Sequence, residues 1–331
     1  MQKRCLSFLA FGGFLLILLV SLLSCKRLDI NFHFGGDSNN VRKESAVHVN
    51  ICVLGNSYSN DAFSYVPFIL KEYGVTSCIH IYYRGSLSLH DLDEQWDDDS
   101  ALGIADLDGK NHNRFHFSID TRTQKKWQKE TIMSASSIVA MNKWDIITLQ
   151  QGGRRARHED TYYPYLENVI EKIGSKCDYS YSLAWFMSYN AGADNANEES
   201  VATQQRITQS FPFEFVIPVA TAVFSCQENK ILSELGDSQY KRMYASDNVH
   251  LQEGLPCYIA ALTVSQAILN ALGIKKSVEG NLIRPTQEWI TSIGGITPNG
   301  QSTGVTEENC ILAQKAAIQA NMYPFEIIPI Q

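Results

Sequence analysis

Five strand-length apolar runs, at residues 47–54, 78–83, 144–149, 179–185 and 213–219, alternate with stretches of helical periodicity. No other feature of the chain constrains the fold as tightly. Runs that are largely apolar need cover on both faces, and a strand–helix–strand passage forces parallel pairing. The expected fold is therefore α/β, with a central parallel five-stranded sheet between helices. Residues 61–73 read as helical up to Gly74, and Pro67 inside them predicts a kink or two short helices. Residues 162–173 carry Tyr165, Leu166, Val169, Ile170 and Ile173 at helical spacing, residues 198–210 are amphipathic, and residues 255–272 read as the final helix, ending at Gly273. Residues 90–140 break the alternation. Phe115 to Asp120 and Lys126-Trp127-Gln128 suggest a small hairpin insertion there.

The amino terminus has a different character. Lys3 and Arg4 precede an apolar run from Leu6 to Leu23, which ends in Leu22-Leu23-Ser24-Cys25. A basic start, an apolar middle and a small residue before the cut mark a signal peptide. The cysteine resembles that of a lipobox, so residues 1–24 read as a cleaved lipoprotein signal peptide with Cys25 as the lipidated first residue. An uncleaved anchor is the alternative, because the run is nearly long enough to span a bilayer. Acyl chains gain about 0.8 kcal/mol per buried CH₂, so a multiply acylated Cys25 would hold firmly. Residues 25–46 are polar, with Gly35-Gly36 and Ser38-Asn39-Asn40, and read as a flexible tether. Residues 47–331 are left as the folded domain. The expected location is exported, lipid-anchored to a bacterial membrane (the outer membrane, on its periplasmic or surface face).

Composition narrows the partners. Without residues 1–24 the chain keeps 26 basic against 35 acidic residues, a formal charge of −9. An acidic surface argues against nucleic acid as the main partner. Beyond Cys5 and Cys25, the cysteines Cys52, Cys78, Cys177, Cys226, Cys257 and Cys310 are scattered with no C-x-x-C pair, so no metal site and no cofactor are expected. Cys52 and Cys78 lie in strand-like runs and read as buried small hydrophobes.

In an open parallel sheet, ligands sit beyond the carboxyl ends of the strands. Three stretches reach that edge. In Gly55-Asn56-Ser57-Tyr58-Ser59-Asn60, a serine stands at a helix N-terminus, where negative charge is stabilised. In Arg84-Gly85-Ser86, a glycine lets an oxyanion approach the backbone N–H. Gln150-Gln151-Gly152-Gly153 offers carboxamide donors. Downstream, Asp247-Asn248-Val249-His250 spaces a carboxylate and an imidazole so that one short loop presents both, the carboxylate fixing the tautomer of a base that takes the serine proton.

Taken together, these blocks resemble those of the SGNH (GDSL-like) hydrolase superfamily. Gly55-Asn56-Ser57 is similar to its first block, Gly85 to the glycine of its second, and Asp247-x-x-His250 to its last. The finer pattern, including Trp144-Asp145, Leu149-Gln150-Gln151-Gly152 and Ile217-Pro218-Val219-Ala220-Thr221-Ala222, resembles an SGNH-like lipoprotein family of unassigned function from bacteria that degrade glycans. The resemblance implies a flavodoxin-like αβα sandwich. It implies Ser57 as nucleophile, His250 as base oriented by Asp247, and oxyanion donors from Ser57, Gly85 and, in place of the usual asparagine, Gln151. Asn56 stands where the family carries aspartate. The function expected is an ester hydrolase acting on an acylated small molecule or glycan, most simply by removing acetyl groups from carbohydrate. The alternative is a non-catalytic glycan-binding lipoprotein on the same fold.

The remaining polar residues have plainer readings. His80 is expected to be structural, and His90, His112, His116 and His158 solvated. Asp97-Asp98-Asp99 reads as a solvated loop rather than a calcium site. Trp185 fits a sugar platform or the core. Arg154, Arg155 and Arg157 fit an anionic substrate or an exposed basic patch.

Overall fold

The computed structural model describes residues 47–100, 109–189, 196–228, 243–245, 247–280, 283–292 and 304–330. The expected signal peptide, the tether and Cys25 lie outside these residues.

The nine residues of β1 (Val47–Gly55) are buried almost without break from Ile51 onward, as a central strand requires. It pairs in parallel with β2 (Val75–Arg84) on one side and β5 (Ile146–Leu149) on the other. The sheet continues in parallel through β6 (Ser182–Phe186) to β7 (Phe215–Ile217). On the far side of β2, β3 (Arg114–Asp120) and β4 (Gln128–Glu130) add antiparallel. The full order is β4-β3-β2-β1-β5-β6-β7, seven strands. Its parallel part, β2-β1-β5-β6-β7, has the flavodoxin-like order. The expected five-stranded parallel sheet is present, and the hairpin read into residues 90–140 is the antiparallel extension.

Two short helices follow β1: α1 (Ser57–Phe63) and α2 (Val66–Glu72), which starts with Pro67 in its first turn. The proline divides the segment as expected. The first helix begins at Ser57, four residues before the predicted start, because the Asn56 side chain caps it by accepting the N–H of Tyr58 at 3.0 Å. The other helices are α3 (Leu89–Glu94), α4 (Ala135–Ala140), α5 (Tyr165–Lys176), α6 (Asn197–Ser210), α7 (Val219–Glu228), α8 (Leu255–Ala271), α9 (Gln287–Ser292) and α10 (Glu307–Met322). Thus 255–272 is not the final helix. Helix α8 is apolar on every side and buried from Leu255 to Leu269, which suits a helix packed on all sides. It contacts α1, α2, α7 and α10, while α3, α4 and α5 form a separate group.

Chain order reverses at β1, with β2 on one flank and β5 on the other. Such a switch point opens a crevice beyond the carboxyl ends of the two strands. The register puts Leu54 opposite both Tyr82 and Leu149, and Leu149 opposite Trp185. The segments after these residues therefore leave the sheet at one level.

Candidate active site at the sheet's carboxyl edge

Ser57 opens α1 and is half-buried; among the described residues neither its N–H nor its hydroxyl makes a hydrogen bond outside the helix. Its neighbour Asn56 works in two directions: Oδ1 caps the helix, and Nδ2 donates to the carbonyl of Leu87 at 3.0 Å. The second bond ties the serine turn to the loop after β2. That loop turns sharply, with Leu87 N–H donating to Arg84 O at 3.2 Å and Ser86 at φ 54°. Asn56 therefore has a structural task of its own.

Asp247 and His250 meet. His250 Nδ1 lies 2.5 Å from Asp247 Oδ2, and Asp247 Oδ1 accepts the N–H groups of Val249 and His250 at 2.9 and 3.1 Å. Asn248 takes φ 55°, a left-handed conformation that asparagine tolerates. Burial pushes the Asp247 carboxyl up, but the His250 contact and the two N–H donors outweigh it and hold the group below its ordinary value. The turn sits against α1: the His250 ring lies 6.5 Å from that of Tyr58, the residue after Ser57. No hydrogen bond joins Ser57 to His250 among the described residues.

The glutamines divide differently from the expectation. Gln151 Nε2 donates to Thr161 O and Oγ1 at 3.0 and 3.1 Å, and its Oε1 accepts from Leu89 N and Gly152 N at 3.1 and 2.8 Å. It braces three loops. Gln150, also buried, accepts the Ser59 hydroxyl through Oε1, while its Nε2 has no partner among the described residues. A side chain on Gly55 would come within 2.7 Å of Gln150 Oε1, so the Gln150 carboxamide lies directly over the turn that leads to Ser57. The Gly85 N–H is directed at Asn113 O, at a long 3.4 Å.

Sequence reasoning missed Asp61. It lies one helical turn after Ser57 and is fully buried. Its Oδ2 accepts Tyr189 Oη at 2.7 Å and Leu251 N at 2.9 Å, while Oδ1 has no partner among the described residues. Burial raises its carboxyl to about 7 against the opposing pull of His250 and the two hydrogen bonds. The available signal was an acid immediately before the largely apolar stretch from Ala62 to Leu70.

The other polar and aromatic residues take definite places. His116 is buried, not solvated, with Nε2 2.9 Å from His80 Nδ1; burial, and then His116, push His80 down to about 4. Trp185 is a core residue, giving its Nε1–H to Gln204 at 3.2 Å. Asp98 pairs with the buried Arg114 at 2.8 Å, and Asp99 accepts the Ser134 N–H at 2.7 Å. Arg155 approaches the buried Asp91 at 3.9 Å, which Arg84 also meets at 3.2 Å, and Arg154 is exposed. No group of three or more His, Cys, Asp or Glu among the described residues is disposed to hold a metal ion.

Fold and edge together define an α/β sandwich with a serine-bearing turn at its switch point. No family model matches the chain, and no curated protein does. Among solved structures, it is similar to a DUF4886 family protein from Bacteroides uniformis, with 20% identity, a TM-score of 0.65, and coverage of 86% of this chain and 98% of that one. At that identity the likeness speaks for the fold.

Proposed function

We propose that the protein is a serine ester hydrolase of the SGNH type, removing acetyl or similar small acyl groups from carbohydrate at a bacterial membrane surface. The observation that carries this reading is the Asp247–His250 pair, at 2.5 Å, set against the helix that Ser57 begins. In the proposed reaction Ser57 Oγ bonds to the acyl carbon as its proton passes to His250 Nε2. The tetrahedral intermediate collapses, the ester C–O bond breaks, and the same proton goes to the leaving alkoxide. Water then repeats the sequence on the acyl-enzyme. Asp247 holds the tautomer and stabilises the imidazolium. The uncommitted Ser57 N–H, at the start of a helix, is one oxyanion donor. Of the two glutamines, Gln150 has the uncommitted amide nitrogen, so the third donor role falls to it rather than to Gln151.

The test is labelling of the purified full-length chain with a fluorophosphonate, with the modified residue mapped, alongside acetate release from p-nitrophenyl acetate and acetylated glycans. Ser57 should carry the label. Ser57→Ala and His250→Ala should each lose nearly all activity, and the double variant should be little worse than either, because the two act as a unit. Equal acetate release by wild type and Ser57→Ala would refute the hydrolase.

The engagement of Gly85 N–H with Asn113 and of Gln151 with Thr161 favours a second reading, a glycan-binding lipoprotein without catalysis. Binding on a glycan array by a chain that takes no label would support it.

A further inference from the structure

We propose that Asp61 is a positioning residue for His250, clamping the turn that carries the imidazole onto the nucleophile helix and supporting its positive charge when it takes a proton. The inference rests on the serine hydrolase reading and adds a second carboxylate to the pair already described. Asp61 Oδ2 receives the N–H of Leu251, the residue immediately after His250, at 2.9 Å, across 190 positions of sequence. It also receives the Tyr189 hydroxyl from the loop after β6 at 2.7 Å. One carboxyl group thus joins α1, the loop after β6 and the histidine turn. The turn is also held within itself, with Ala245 N–H donating to His250 O at 2.8 Å and Gln252 N–H to Met243 O at 2.9 Å, and it meets α8 where Cys257 N–H donates to Gln252 O at 3.3 Å. Asp61 anchors it to the element that bears Ser57.

The cost of this arrangement argues that charge, and not only shape, is at stake. Asn or Ser could accept the same two hydrogen bonds without placing an acid in the core. Asp61 Oδ1 is buried with no partner among the described residues. The groups facing Asp61 are Tyr58 on its own helix, His250 and Asp247 on the turn, Tyr189 after β6, Tyr83 on β2 and Cys257 on α8. His250 is the one base among them. Burial pushes Tyr58, Tyr83, Tyr189 and Cys257 above their ordinary values, so they stay neutral where His250 works. When His250 takes the serine proton, two carboxylates answer it: Asp247 through Nδ1 and Asp61 through space.

The experiment compares wild type with Asp61→Asn, which keeps the shape and the acceptor but removes the charge. The readout is kcat/KM on p-nitrophenyl acetate from pH 5.5 to 8.5. The expected ratio is about tenfold in favour of wild type at the alkaline end, shrinking towards one at the acid end, where Asp61 is itself protonated. A ratio that stays constant with pH, as a merely structural loss gives, overturns the proposal. Tyr189→Phe is the second variant. Deleting a donor to the charged carboxylate should move the acid limb of the profile to higher pH, and an unmoved limb also counts against it. A wild-type chain that neither hydrolyses ester nor takes label at Ser57 sinks the hydrolase reading instead. The His250 ring signals, followed by NMR in wild type and Asp61→Asn, then decide: identical titration in both overturns the Asp61 claim, and different titration upholds the coupling.

Discussion

Asp61 makes the site a trade between function and stability. Its carboxyl is raised from 3.8 to about 7 in the fold, chiefly by burial. As pH rises, the unfolded chain releases this proton first, so folding loses stability from about pH 4 up to about pH 7 and then levels off. The penalty above neutrality is on the order of a few kcal/mol. Asp61→Asn should therefore raise the melting temperature, by little at pH 4 and by most at pH 8. Thermal unfolding of both chains followed by circular dichroism at those two pH values checks this, and an equal gain at both would remove the ionisation argument. The residues legible in sequence were those whose chemistry is carried by short spacing. Asp247 and His250 are three apart and share one turn, and Ser57 sits in a recognisable turn. Asp61 was not legible, because what defines it is an N–H 190 residues away. The two glutamines are adjacent and chemically identical. Only tertiary packing separates Gln151, bonded to Thr161, from Gln150 over Gly55.

Elements were read most securely where apolar runs were continuous. β1, β2 and β5 are nearly all buried, so composition alone marked them. Their ends were set by side chains instead. Asn56 moves the start of α1 back to Ser57, and Pro218 stops β7 at Ile217. Helix α10 escaped notice because it is rich in Ala and Gln rather than amphipathic, although Thr306 and Asn309 form a capping box at its start. The loop after β5 illustrates how closely elements meet at the site. A Cβ on Gly153 would lie 2.5 Å from Tyr58 Oη, and the ring that would have to yield is buried between α1 and Tyr189, 4.4 Å from the latter's ring. Gly153→Ala should cost about 1–3 kcal/mol by overpacking, and it should slow fluorophosphonate labelling of Ser57 because Tyr58 is the next residue. Denaturant unfolding and labelling rates measure the two effects, and unaltered values for both would mean that Tyr58 has room to move.

For the whole molecule, the sequence marked the layer architecture but not its finish after residue 272, where α10 packs on α8 and Trp289 of α9 stacks on Phe68 of α2. Among the described residues no helix is long and apolar enough to cross a membrane. The membrane attachment proposed above rests on Cys25, which lies outside the described residues. Cys25→Ala should release the protein from membranes or leave an unprocessed precursor. Metabolic labelling with a fatty-acid analogue tests this, and equal labelling of the variant would defeat it.

The two ends of the sheet carry a last consequence. β4 and β7 are only three residues long each, and β4 reads Gln128-Lys129-Glu130, with its charged residues exposed. An edge so short and so charged is a poor template for a strand from another molecule. Chains tethered side by side on a membrane would meet at high local concentration, where edge-to-edge pairing is the natural route to aggregates. The hairpin that interrupts the strand–helix alternation thus places a blunt, charged strand where β2 would otherwise offer ten residues of open backbone.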